Sequence, residues 1–352
     1  MIHDNCTIEQ VNCQGLPVEI EIKEKFSPKK KQSLLLSESY LRLCLDKKSQ
    51  RVADCGSWLE FLEVKSEGAK WSPQNAAQCA AAGATSPPDY KLYHANFCRD
   101  RLCPMCAWRR SYKIFGQMSK IMNLLGNSCR FLFLTLTVPN CEPEDLNETL
   151  DNMMHAWSKL VRRSRFRRSV LGFFRALEIT RNRFNGTYHP HFHVVLAVSP
   201  KYFKDDRYIS RDEWLRMWQQ SMNDDSITQV DVRTMRDKVT GDVSAQALAS
   251  AVAESAKYAV KAADYVFSGN SALMDSIVST LSGALYHRRL TALGGVFKSA
   301  WLSLGLDDPE DGDLVHLDDS VREDLACMIV RYEWSAGAYK LVKQSPCKGV
   351  VL

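Results

Sequence analysis

Along residues 131–138, FLFLTLTV, the chain alternates with a period of two. Leu132, Leu134, Leu136 and Val138 fall on one face of a strand, and Phe131, Phe133, Thr135 and Thr137 on the other. Pro139-Asn140 stops the run. The period then becomes helical: Leu146, Leu150, Met153, Met154, Trp157, Leu160 and Val161 form one stripe. Acidic residues crowd its start and arginines its end, as the helix dipole favours. LGFFRALEITRN (171–182) predicts a strand, Asn185-Gly186 a hairpin turn, and HPHFHVVLAV (189–198) the returning strand. RDEWLRMWQQSM (211–222) reads as a helix and TQVDVRTM (228–235) as a strand. The alanine-rich SAQALASAVAESAKYAVKAADYVF (244–267) predicts one long helix. Helices alternating with strands around a hairpin predict an α+β domain on a central, mainly antiparallel sheet.

The ends of the chain are less patterned. KEKFSPKKKQ (23–32) reads as a solvated basic loop, and RVADCGSWLEFLEV (51–64) as a short helix. NAAQCAAAGATSPPDY (75–90) ends in Pro87-Pro88 and suggests a boundary. The tail beyond about residue 270 mixes helical pattern with an acidic patch, DDPEDGD. The expected division is an N-terminal region (1–90), a cysteine-rich knuckle (91–110), a central domain (111–270) and a C-terminal region (271–352).

Composition narrows the class. The 352 residues are 45% hydrophobic and 25% charged, as in ordinary soluble proteins, and long enough to bury a sizeable core. A net charge of +5 leaves nucleic-acid affinity to local patches. No signal peptide and no membrane-spanning run is visible, so a cytoplasmic location without a membrane partner is expected. There the 12 cysteines stay reduced, and clustered ones are read as metal ligands.

His94-x3-Cys98-x4-Cys103-x2-Cys106 offers four soft ligands at the short spacings of a structural Zn²⁺ site. Cys79 or Cys55 is the alternative to His94 as fourth ligand. Arg109 and Arg110 follow at once, beside Trp108, as a candidate DNA-contacting surface. A second basic stretch holds Arg162, Arg163, Arg165, Arg167 and Arg168, then Arg175, Arg181 and Arg183. Phe166, Phe173 and Phe174 are interleaved, a composition suited to phosphates and unpaired bases.

The chain has only 8 histidines, and three of them alternate in HPHFH. On a strand His189, His191 and His193 share a face, and neighbouring imidazoles there converge on one divalent cation. Glu178, across the hairpin, is the candidate third ligand, and a carboxylate broadens the choice toward Mn²⁺ or Mg²⁺. Surface histidines are the plain alternative. In ESAKYAVKAADY, Glu254, Tyr258 and Lys261 share a helical face, with Lys257 beside them. A phenol flanked by lysines is a candidate nucleophile, and a carboxylate one turn away a candidate base. An amphipathic helix with a charged solvent face would look the same.

FLTLTVPN, HPHFHVVL and ESAKYAVKAADY occur in that order. Together with FCRDRLCPMCAWRR they resemble the rolling-circle plasmid replication initiators, Rep proteins of the HUH endonuclease superfamily, and most closely the Gram-positive-type group with a single catalytic tyrosine. The resemblance covers about residues 90–267. It implies a ferredoxin-like sheet with His191 and His193 as metal ligands and His189 as a spectator. It implies Tyr258 as nucleophile, Glu254 as the residue activating water at termination, and Lys261 as a phosphate or phenolate partner. Tyr265 stands as a second candidate nucleophile. The implied partner is a single-stranded or cruciform origin, and with no G-x-x-x-x-G-K-[ST] loop in the chain a host helicase would unwind it. An HUH transposase or relaxase is the alternative enzyme, and a zinc-dependent DNA-binding regulator the alternative without catalysis.

Overall fold

The computed structural model describes residues 17–64, 89–126, 128–235, 259–317 and 326–346. They form two compact units. Of these, 17–31, 56–64, 89–96 and 326–346 belong to the first unit, and 32–55, 97–126, 128–235 and 259–317 to the second.

The first unit joins both ends of the chain in one antiparallel sheet. A short helix α1 (Pro17–Glu21) runs through a π-helical turn (Ile22–Phe26) into α2 (Ser27–Arg42). The lysine-rich stretch expected as a loop is therefore helical. The chain passes at residue 32 into the second unit, where α3 (Asp46–Asp54) ends just before Cys55; back in the first unit, WLEFLEV is not a helix but strand β1 (Trp58–Val64). Its period of two, with Leu59 and Phe61 buried on one face, explains why. β1 pairs with β2 (Asp89–Ala95) on one side and β8 (Ala326–Ser335) on the other, and β8 continues into β9 (Ala338–Pro346). Ala336 and Gly337 both have positive φ, 51° and 81°, the geometry of a two-residue hairpin turn. Phe26 meets Phe61 edge-on at 5.8 Å, and Phe61 meets Tyr332 at 6.3 Å. Pairing between β1 and β8 is invisible to local sequence reading, since it joins Trp58 to Glu333.

The second unit contains the α+β domain. α4 (Pro104–Leu125) leads into β3 (Arg130–Thr137). Then come α5 (Leu146–Arg162), α6 (Ser164–Ser169), β4 (Val170–Arg181) and β5 (Tyr188–Val198). α7 (Arg211–Met222) and β6 (Val230–Thr234) complete a β-α-β-β-α-β succession. α8 (Ser271–Ala284), β7 (Thr291–Gly295) and α9 (Val296–Ser303) follow. The strand order is β6-β3-β5-β4-β7, all antiparallel. The first four strands thus have the ferredoxin-like order, with β7 added at the β4 edge. The α7 start is a capping box: Ser210 accepts from the Glu213 backbone N–H at 3.2 Å.

Alternation divides the sheet into two faces. On one, α5 and α7 supply Trp157 and Trp218, which meet Phe192 edge-on at 6.1 and 6.2 Å. Trp157 also packs on Phe173 at 5.0 Å, and Phe166 on Trp214 at 5.9 Å. Arg175 is buried beneath this face with its guanidinium 4.5 Å from the Phe192 ring, and burial lowers its pKa to about 10. On the other face Ile114, Met118 and Met122 of α4 and Phe297 of α9 cover Phe131, Phe174, Val195 and Ala197. That cover ends where β5 changes from valine and alanine to histidine.

The predicted long helix at 244–267 lies largely outside the described residues. Its final part is not helical: a bend at Ala259 and Val260 precedes a 3-10 turn at Ala262–Asp264. Backbone demand at the β4 edge accounts for this. β7 pairs with Gly172–Ala176, then the Leu290 carbonyl takes the Leu177 N–H at 2.8 Å and the Ala259 carbonyl takes that of Ile179 at 2.7 Å. Among the described residues no helix is long and apolar enough to cross a membrane.

Candidate metal centre and its surroundings

Antiparallel pairing sets Glu178 opposite His191 and Ala176 opposite His193. The two imidazoles and the carboxylate consequently point to one face from adjoining strands. Glu178 Oε2 lies 2.7 Å from His193 Nε2 and 3.2 Å from His191 Nε2, and the two Nε2 atoms are 3.1 Å apart. All three side chains are buried. His191 Nδ1 faces the His189 carbonyl at 3.2 Å, a group to which it can only donate, an arrangement that suits Nε2 as the nitrogen for a bound cation. His193 Nδ1 lies 3.4 Å from Thr135 Oγ1, and its ring stacks on Phe133 at 5.3 Å.

These contacts fit a divalent cation. Lone pairs on nitrogen and carboxylate oxygens crowd one buried point, which is favourable only with positive charge among them. Burial pushes the Glu178 carboxyl up, yet its hydrogen bonds and charge interactions with His191 and His193 outweigh this and hold it well below the usual carboxylate range. Lys261 approaches from the far side, its Nζ 3.9 Å from Glu178 Oε1, with the side chain half exposed. His189 stays outside the converging group. Thr135 and Phe133 were not singled out by the sequence; their place on the inward face of β3, opposite His193 and Val195, was the available signal.

Tyr258 and Glu254 lie outside the described residues. Ala259, next in sequence to Tyr258, is bonded to Ile179, one residue from Glu178. Tyr265 is fully buried and its hydroxyl donates to the Leu102 carbonyl, a packed position unlike that of an exposed nucleophile.

The cysteine site differs from expectation in one ligand. Cys55, Cys98, Cys103 and Cys106 converge, with no disulfide among them. Sγ separations are 3.5 Å for Cys55–Cys106 and Cys55–Cys103 and 3.7 Å for Cys98–Cys106. The edge of a ZnS4 tetrahedron, from a Zn–S bond of about 2.3 Å, is roughly 3.8 Å, so the spacing fits that ion. Backbone N–H groups of Arg99 and Cys98 donate to Cys106 Sγ at 3.2 Å and Cys55 Sγ at 3.4 Å. Cys103 caps α4, with Pro104 in its first turn, which favours thiolate at that helix end. His94 instead sits on β2 with its Nδ1 3.1 Å from the Glu60 carboxylate. Cys55 lies 43 residues before Cys98, too far for a spacing motif. The hint it left was the following Gly56, whose φ is 62°. Cys79 lies outside the described residues.

Several arginines expected to meet DNA are committed elsewhere. Arg109 is buried and donates to the Leu314 and Val315 carbonyls, each at 2.8 Å. Arg110 is buried and donates to the Glu310 and Arg99 carbonyls. Arg165 pairs with Glu213 at 2.6 Å, and Arg163 bonds Ser221 and Gln220. Phe166, Phe173 and Phe174 pack inward. A helix and a strand each bury one face, so half of any dense basic stretch must find internal partners. Arg162, Arg167 and Arg168 remain exposed, and among the described residues their side chains have no hydrogen-bond or ion-pair partner.

A ferredoxin-like sheet bearing paired imidazoles and a carboxylate, joined to a four-cysteine cluster, defines an α+β protein with two side-chain clusters that could each hold a metal ion. A family model described as "Replication protein" matches residues 89–340, beyond the 90–267 over which the motifs were legible. A protein named "Protein rep" from Bacillus amyloliquefaciens is 37% identical over 84% of this chain and 87% of its own. Another of that name from Streptococcus pneumoniae is 38% identical over 65% of this chain and 70% of its own. A third, from Lentilactobacillus hilgardii, is 36% identical over 86% and 92%. No solved structure matches. The chain belongs to this replication-protein family and is a plasmid Rep protein.

Proposed function

We propose that the chain initiates rolling-circle replication as an origin-specific nicking and joining endonuclease of the HUH type. The observation that carries this reading is the convergence of Glu178, His191 and His193 on one buried face, 3.9 Å from Lys261 at the nearest carboxylate oxygen. These three residues would hold Mn²⁺ or Mg²⁺. Such a cation, when bound, supplies Lewis-acid polarisation of a phosphoryl oxygen.

The chain's own residues carry the remaining chemistry. Tyr258, three residues before Lys261, attacks the scissile phosphorus through its phenolic oxygen. One O–P bond forms to tyrosine as the P–O3′ bond breaks, leaving a free 3′-hydroxyl and a 5′-phosphotyrosine. Lys261 stabilises the phenolate and the phosphate charge. Glu254 takes a proton from the water that releases the enzyme at termination. Cys55, Cys98, Cys103 and Cys106 would hold a structural Zn²⁺. DNA is the substrate, single-stranded or extruded as a cruciform, and unwinding falls to a host helicase.

The test is incubation with labelled single-stranded origin DNA, with Mn²⁺, with Mg²⁺ and with EDTA, followed by a denaturing gel. The expected result is a metal-dependent covalent adduct, lost in Tyr258→Phe while DNA binding persists. Tight binding without an adduct on any origin would favour a DNA-binding regulator and end the nuclease reading.

A further inference from the structure

The ribbon that carries Glu178 and His191 ends in a turn that projects one aromatic ring into solvent. Phe184 is 103% exposed, against 67% for Tyr286, the next among the exposed large apolar side chains of the described residues. A phenylalanine left in water forgoes the stabilisation that burial gives. The turn is nevertheless firmly built. Asn182 Oδ1 accepts from the Phe184 N–H at 2.9 Å, and its carbonyl accepts from the Gly186 N–H at 2.9 Å. Asn185 Oδ1 accepts from the N–H and hydroxyl of Thr187 at 3.1 and 2.8 Å. Asn140 then donates to Thr187 Oγ1 at 3.1 Å. Gly186, at φ 82°, lets the chain reverse. Arg183 ties the turn to the segment after Lys261, donating to the Ala263 carbonyl at 3.0 Å and to Asp264 at 3.1 Å.

Apart from Gly186, the neighbours of the ring in sequence are polar or cationic: Arg181, Asn182, Arg183, Asn185 and Thr187. The Arg181 guanidinium lies under the turn, within 3.5 Å of where a Gly186 side chain would begin. A single ring among cations and amides is not a contiguous apolar patch of the kind that docks proteins. It has the composition of a stacking platform for unpaired bases. Phe184 is six positions beyond Glu178 on the ribbon, at most about 20 Å at strand rise, or about six nucleotides of stacked strand.

We propose that Phe184 is a base-stacking residue that grips single-stranded DNA leading into the Glu178–His191–His193 centre. The proposal rests on the nuclease reading and adds a DNA-binding site to it. Stacking is sequence-tolerant, so the grip positions the strand and does not choose the origin.

The experiment titrates the full chain and its Phe184→Ala, Phe184→Leu and Phe184→Trp variants with a fluorescein-labelled thymidine oligonucleotide of about 20 nucleotides, the stacking ligand of least sequence bias. Alanine should weaken binding about 5- to 150-fold, the range for loss of one base stack. Leucine should weaken it similarly, and tryptophan should preserve it. On an unlabelled oligonucleotide, Phe184→Trp should show emission quenching beyond that of the wild type, which has 8 tryptophans of its own. Equal affinity in wild type, alanine and leucine variants overturns the proposal, as does a wild type that does not bind the oligonucleotide at low salt. Unchanged affinity with a changed oligomeric state in Phe184→Ala, seen by light scattering, would assign the ring to a protein interface instead. Covalent adduct formation on origin DNA is scored in parallel. If wild type and Phe184→Ala both form it and bind alike, only the stacking role fails; if wild type forms none, the nuclease reading fails.

Discussion

His193 Nε2 stands 2.7 Å from Glu178 Oε2, although the two residues are fifteen apart in sequence. The contact joins adjoining antiparallel strands and completes a set of donors that could hold a divalent cation. Glu178→Ala should therefore lower Mn²⁺ affinity by at least about tenfold, the minimum cost of losing even an outer partner of such a site. Isothermal titration measures it. Affinity equal to wild type would remove Glu178 from the ligand set.

The cysteine cluster predicts one bound zinc per chain. Cys55→Ser should lose it and unfold at least about 5 °C lower, as expected when a structural metal worth a few kcal/mol is removed. His94→Ala should keep its zinc. Elemental analysis with thermal melts reads both, and the opposite pattern would restore the histidine as ligand.

Glu310 is a buried acid whose carboxylate accepts from the Thr291 N–H and hydroxyl, each at 2.7 Å, and the Leu290 N–H at 3.1 Å, and pairs with Arg101. Burial pushes its carboxyl up, but these donors outweigh burial and hold it below its ordinary 4.5. The folded form thus binds fewer protons than the unfolded one, so the stabilisation is complete above 4.5 and is lost as pH falls through the depressed folded value. Glu310→Gln should cost about 3–5 kcal/mol near neutrality and should flatten the decline of stability in acid. Denaturant unfolding at pH 7 and below 4.5 checks both.

The exposed arginines should be separable from the buried ones. Arg167 and Arg168 replaced together by alanine should reduce the slope of log affinity for DNA against log salt by about 2, with stability unchanged. Arg109→Ala should leave that slope intact and cost about 2–3 kcal/mol of stability, because two backbone carbonyls lose a charged donor. Salt titrations and melts of the same proteins decide it.

The sequence by itself determined what local period carries. A period of two marked β3 and set His191 and His193 on one face; a helical period marked α5; Asn185-Gly186 marked the hairpin that brings Glu178 across from His191. Three cysteines at short spacing announced a metal knuckle. These features depend on neighbours within a turn or a hairpin, where backbone geometry fixes which side chains coincide.

Only the tertiary structure decided which distant group completes each site. Cys55, not His94, joins the cysteine cluster because the packed chain delivers that sulfur to the other three. Arg109, Arg110 and Arg165 turn inward because carbonyls and an acid from far along the chain need donors there. Trp58 pairs near Glu333, and a strand edge at Ile179, not helix propensity, governs Ala259. Each depends on chain closure over tens to hundreds of residues. Closure is set by satisfying buried polar groups together, and no local pattern encodes it.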